Sequence, residues 1–258
     1  MLRSSWLSFV IMLLINKNEG AKIGEISDDL AQELDIKPAK WAFAIWGIIY
    51  SLLFVVLSIA WTELNPENDG CLSTTWHIIF ALTCAFNSAW IFLWTRQQVE
   101  LSTVCLICLV VSLYLLWCQE ISHSNSTVAV LMTNSIALYL GWCLGATVLN
   151  IGFSLINQGI LNSSNQVSVI CSGLICIIQI TWQMMHRTNQ LSLRKSVAIP
   201  IVGVWTALAI CAENGANAFS IPPLLTSGLC LLHHIIAVAR GEISGTDQKR
   251  NRSVALTA

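Results

Sequence analysis

Apolar residues run along this chain in long blocks separated by short polar clusters. Stretches free of Asp, Glu, Lys and Arg cover residues 41–62, 70–95 and 101–119, and about 20 apolar residues at 1.5 Å rise cross the hydrocarbon of a bilayer. A longer charge-free stretch, 121–186, breaks at the polar clusters 122–127 and 157–166 and so predicts two spans, over 128–156 and 167–185. Two further spans are predicted over 196–212, which contains Pro200, and over 214–239, where Pro222 and Pro223 stand near the start, a position that tolerates proline. The run 6–15 is only about ten residues and suits either a short span or a signal-peptide core. No convincing small-x-small cleavage pattern follows it, which favours a first span and makes eight in all. Residues 16–40 are then a polar excursion, with a short helix expected at 28–34 capped by Ser27.

Composition agrees with an all-α, polytopic transmembrane helix bundle. Of 258 residues 55% are hydrophobic and only 10% charged, with a mean hydropathy of +0.68; soluble domains carry far more charge. Thirteen basic residues against 14 acidic ones leave a net charge of −1, so no basic field exists to hold phosphates and nucleic acid is set aside as a partner. Basic residues near span ends vote on orientation. With the N-terminus cytoplasmic, the inside receives Arg3, Arg187, Arg194, Lys195, Arg240, Lys249, Arg250 and Arg252, and the outside Lys17, Lys22, Lys37, Lys40 and Arg96. Both termini are therefore expected on the cytoplasmic side, by a small margin.

In lipid, hydrophobicity does not separate a core face from a lipid face, so aromatic, amide and small residues at helical spacing carry the information. Phe43, Trp46, Tyr50, Phe54 and Trp61 share one side of the second span, with Gly47 alongside. On the third span Trp76, Phe80, Thr83, Asn87, Trp90 and Trp94 do the same; on the fifth, Ser135, Tyr139, Trp142, Ala146, Asn150, Phe153 and Asn157, with Gly141 and Gly145 close enough to admit a neighbouring backbone. An amide in hydrocarbon must find partners, so Asn87 and Asn150 are expected to point inward and to take the tryptophans of their faces with them. The bland alternative is that the rings fill the bundle or form an interfacial belt.

The segments "PAKWAFAIWGIIY" from Pro38 to Tyr50, "NSAWIFLW" from Asn87 to Trp94 and "LYLGWCLGATVLNIGFSLIN" from Leu138 to Asn157 resemble the TspO/MBR family, the tryptophan-rich sensory proteins and translocator proteins. "KIGEISDDL" at Lys22 to Leu30 is similar to the segment that precedes the first motif in the longer branch of that family. The resemblance implies a TspO-like five-helix membrane bundle over residues 1–157, three additional transmembrane helices over 158–239 and a polar basic tail over 240–258. It further implies an aromatic pocket for a hydrophobic ligand such as a tetrapyrrole or sterol. Carried over, the pocket residues are Trp41, Phe43 and Trp46 from the second span, Asn87 and Trp90 from the third, and Trp142, Ala146 and Leu149 from the fifth, with Tyr139 and Asn150 beside them. Tyr50 and Trp94 join this set from the stripes. Two departures bear on pocket shape: the second-span motif is one residue shorter between its tryptophans than in short family members, and Ala44 stands where those often carry proline.

Catalytic chemistry is sparse in these spans. Acidic residues lie only at edges, as Glu63, Glu120 and Glu213, which disfavours an ion path. His233 and His234 diverge by about 100° on a helix and cannot face one ligand together; they and His77 and His186 are expected near the headgroups. Most of the ten cysteines sit inside apolar runs as small hydrophobes, the Cys105-x-x-Cys108 pair included. Sequons at Asn125, Asn162 and Asn251 decide nothing, the first two flanking one span. The expectation is a non-enzymatic membrane protein in contact with the lipid bilayer and a hydrophobic small molecule, with no metal and no required cofactor. The rivals are an enzyme that oxidises a bound tetrapyrrole and a structural protein assembling through its aromatic faces; a homo-oligomer is left open.

Overall fold

A computed structural model describes residues 2–20, 35–63, 72–119, 127–161, 163–189 and 197–240. Eight α-helices stand where the eight spans are expected: α1 (Leu2–Gly20), α2 (Ile45–Glu63), α3 (Thr74–Trp94), α4 (Val99–Cys118), α5 (Thr127–Asn157), α6 (Ser164–Asn189), α7 (Ala198–Asn214) and α8 (Ile221–Ala239). A 3₁₀ turn, Lys40–Ala44, leads into α2. No strand occurs among the described residues. Five helices, α2 to α6, are long and apolar enough to cross a membrane, and α7 and α8 are apolar but shorter. The expected helix at 28–34, the "KIGEISDDL" segment, the three sequons, the side chains of Trp61 and His186 and the tail beyond 240 lie outside the described residues.

Two rings of helices share α5. In the first, α1 packs on α3, α3 on α4, α4 on α5, α5 on α2, and α2 closes back on α1. In the second, α5 packs on α6, α6 on α8, α8 on α7 and α7 on α5. The 31-residue α5 can serve both because its faces differ. Its aromatic face looks into the first ring, while its glycines admit the second: a Cβ on Gly141 would lie 3.3 Å from Val202 Cβ, and one on Gly152 would stand 2.8 Å from Cys171 Sγ. Close approach through small residues is how helices associate where no hydrophobic force separates protein from lipid.

Short polar bridges fix α4 in the first ring. Thr83 donates to Ser112 at 3.0 Å, Ser102 donates to Asn150 Oδ1 at 3.2 Å, and the Thr103 and Ser154 hydroxyls are 2.9 Å apart. The helix ends are equally specific. Ser73 caps α3 by accepting from Trp76 N at 3.1 Å, which satisfies one of the first-turn N–H groups.

The first helix runs further than its apolar core. The sequence ends the run at Ile15 and begins a polar excursion at Asn16, whereas α1 continues to Gly20. Ser5, Phe9 and Met12 form its buried face, and Asn16 extends that face by one more turn. The helix accommodates this amide because Asn16 Nδ2 donates to the carbonyl of Met12 at 2.9 Å.

Candidate functional site

The aromatic faces of α2, α3 and α5 meet inside the first ring. Trp46, in the first turn of α2, is the hub: its ring lies 5.5 Å from Tyr50 and 5.6 Å from Trp90, nearly parallel to both, and edge-on to Tyr139 at 5.7 Å and Trp142 at 6.3 Å. Phe43 stands edge-on to Trp142 at 5.8 Å, and Trp94 of α3 meets Phe153 of α5 at 5.7 Å. Offset and edge-to-face pairs at these separations are favoured by the ring quadrupoles. The rings close on one another: Trp46, Trp90, Tyr139 and Trp142 are all buried.

One wall of the cluster is polar. Asn16 Nδ2 donates to Asn87 Oδ1 at 2.7 Å, and the Tyr50 hydroxyl donates to Asn16 Oδ1 at 2.8 Å. The triad ties α1, α2 and α3 together at the edge of the rings. Asn87 is fully buried, and since its oxygen is occupied by Asn16, its Nδ2 is left with no hydrogen-bond partner among the described residues. The indole N–H groups of Trp46, Trp90 and Trp142 are buried and also without a partner there. Indole nitrogen donates and never accepts, so these N–H groups are donors without acceptors, and the buried Tyr139 hydroxyl beside them, which can donate or accept, is likewise without a partner among the described residues.

The expected pocket residues separate into groups. Phe43, Trp46, Tyr50, Asn87, Trp90, Tyr139 and Trp142 come together, and Trp94 lies against Phe153 on the same side. Asn150 is buried as expected but its amide serves α4, through Ser102, and its own helix, through Ala146 O at 3.1 Å. Leu149 is buried and Ala146 half-buried on the same helix. Trp41 stands apart: it is 45% exposed, in edge-to-face contact with Trp205 of α7 at 4.9 Å. Phe54 also leaves the cluster, exposed and packed on Trp6 of α1 at 5.4 Å. A residue eight positions on lies roughly 80° round the helix from Trp46, which carries Phe54 off the inner face.

Helix α7, which no stripe singled out, holds the strap that delivers Trp41 and Phe43. Ala39 N donates to Ala209 O at 3.0 Å, Trp205 Nε1 to Ala42 O at 3.1 Å and Asn214 Nδ2 to Lys37 O at 2.7 Å. Lys37 and Glu213 add an ion pair at 3.7 Å. Asn16 was missed as well. Its signal was there to be read: Ser5, Phe9, Met12 and Asn16 recur at helical spacing.

His77, His233 and His234 have protein partners. His77 is buried, with Nδ1 2.8 Å from Ser5 Oγ. His234 is 1% exposed, and His233 Nδ1 lies 2.5 Å from Gln183 Nε2. His234 Nδ1 lies 3.0 Å from the carbonyl of Cys230. Among the described residues no group of His, Cys, Asp and Glu could hold a metal ion.

These helices form a polytopic membrane bundle whose first ring encloses a tryptophan-rich interior. The model of the family described as TSPO-like protein matches residues 3–240, and the chain belongs to that family. The match runs through the last three helices as well as the first five. No curated protein and no solved structure matches the chain.

Proposed function

We propose that the interior of the first ring binds a flat, hydrophobic molecule that carries hydrogen-bond acceptors, with a tetrapyrrole fitting better than a sterol. The observation that carries this reading is the set of buried donors without acceptors: Trp46 Nε1, Trp90 Nε1, Trp142 Nε1 and Asn87 Nδ2. Leaving such a donor unpaired costs about 1–3 kcal/mol each. A planar guest would stack on Trp46 and Trp90 in place of their mutual contact and present carboxylate or carbonyl oxygens to those groups. A sterol offers one hydroxyl and no π face. The rings touch in this structure, so a guest must part them.

We read the site as one for binding, in a receptor or carrier, and not for catalysis. The side chains that meet there are indoles, phenols and an amide, suited to stacking and to hydrogen bonding.

The test is a titration of the detergent-solubilised protein with protoporphyrin IX and with etioporphyrin, which has the same ring and no carboxylates, followed by porphyrin absorbance. Protoporphyrin IX is expected to bind about ten-fold more tightly or better, as a charge-assisted hydrogen bond allows. Equal affinity removes the role given to the donors, and no binding of either removes the ligand reading.

A further inference from the structure

The second ring has an interior of its own, on the other side of α5. Where α5, α6 and α7 face one another a partly open pocket of about 20 Å³ remains, lined by Gly141, Gly145, Gln179, Gly203 and Thr206 among leucine and isoleucine side chains. A single water needs roughly 10–15 Å³ of such space, so the volume admits one molecule of that size and nothing the size of the guest proposed for the first ring.

The lining decides what the molecule is. Gln179 is 7% exposed, and its Oε1 has no hydrogen-bond partner among the described residues. Its amide nitrogen occupies the space that a Cβ on Gly203 would need, and Ser227 Oγ of α8 lies 2.8 Å from the same point. Ser227 is fully buried, and its hydroxyl is likewise without a partner among the described residues. Thr206 Oγ1 stands 3.9 Å from where a Cβ on Gly145 would be, on the cavity wall. An apolar guest would leave the amide oxygen unpaired in a bundle surrounded by lipid, the costly outcome. A cation would meet no carboxylate among the lining residues. What fits is a neutral molecule that donates and accepts, at a small cost in immobilisation entropy.

We propose that this cavity is an internal hydration site: one water molecule donates to Gln179 Oε1 and exchanges a hydrogen bond with Thr206 Oγ1. A polar seam continues from it between α6 and α8. One turn along α6, Gln183 pairs with His233, and the Gln183 Oε1 is again without a partner among the described residues.

The test turns on the sign of one substitution in two backgrounds. A methyl at Gly145 would meet Thr206 Cγ2 at 3.7 Å, ordinary contact, and would fill the cavity. In the full chain Gly145→Ala is expected to lower the thermal midpoint, because it expels the water and strands Gln179 Oε1, even though alanine favours a helix over glycine. With Gln179→Leu no amide oxygen is left to strand, and the same Gly145→Ala is expected to raise the midpoint. A rise in both backgrounds means a dry cavity, and a fall in both means an overpacked one; either result overturns the proposal. If Gln179→Leu does not fold, a high-resolution experimental structure of the unmutated protein serves instead. Density within hydrogen-bond distance of Gln179 Oε1 is expected there, and its absence overturns the site.

Discussion

Trp46 of α2 and Trp90 of α3 lie 5.6 Å apart with their planes inclined by 30°, and neither indole N–H has a partner among the described residues. Two large rings have been brought face to face while their polar edges go unserved. Each indole fills the core with apolar surface but leaves a buried donor to be satisfied.

The amide of Asn87 should matter more to stability than its size suggests. Asn87→Ala removes the acceptor of Asn16 Nδ2 and leaves that group half-served, at a cost of about 1–3 kcal/mol. Adding Asn16→Ala should cost less than the two single changes summed, because both belong to one network. Denaturation midpoints of the single and double variants check this, and strict additivity would dissolve the triad.

Two glycines should respond in opposite directions to alanine. At Gly152 a Cβ would stand 2.8 Å from Cys171 Sγ and 3.0 Å from Val167 Cγ1, so Gly152→Ala forces α5 from α6 and is expected to destabilise by roughly 1–3 kcal/mol. At Gly47 nothing lies within 4 Å, and Gly47→Ala should stabilise by up to about 1 kcal/mol through helix propensity. Thermal melts of the pair decide it; matching signs would contradict the packing described here.

Helix α7 should set how freely the strap moves. Trp205→Phe keeps a ring against Trp41 but removes the donor to Ala42 O. Amide exchange at Ala39, whose N–H donates to Ala209 O, is expected to speed up in this variant, by about five-fold or more if a hydrogen bond of about 1 kcal/mol is lost. Unchanged exchange would show that α7 does not restrain the strap.

A binding protein should return its ligand intact. Protoporphyrin IX incubated with the pure protein in light and oxygen is expected to be recovered unchanged by mass spectrometry. A product that forms with the unmutated protein and disappears in Trp142→Phe or Trp46→Phe would favour the enzymatic alternative.

How much of this was legible depended on how straight the helices are. On α3 the 100° step holds from end to end, and Trp76, Phe80, Thr83, Asn87, Trp90 and Trp94 are all buried as their spacing requires. On α5 it holds for Tyr139, Trp142, Asn150 and Phe153. Trp41, expected in the pocket from the resemblance alone, lies with Phe43 in a 3₁₀ turn, where each residue advances about 120°, and it turns to Trp205 while Phe43 stays with the cluster. Phe54 misled because i+4 steps drift by 40° each. Asn16 continues the spacing of Ser5, Phe9 and Met12, but a polar residue closing an apolar run also resembles the start of a loop, and the Met12 carbonyl and Asn87 decide for the helix. The straps from α7 to residues 37–42 are long-range pairings that no periodicity encodes.

The proposed guest enters among Trp46, Trp90 and Trp142. The most direct measurement is the affinity for protoporphyrin IX, read by porphyrin absorbance, in Trp46→Phe set beside Trp76→Phe, a buried tryptophan stacked on Phe80 outside the cluster. Affinity is expected to fall about ten-fold or more in the first, as loss of a buried donor contact implies, and to stay unchanged in the second. Equal affinity in both folded variants and the unmutated protein would contradict the account.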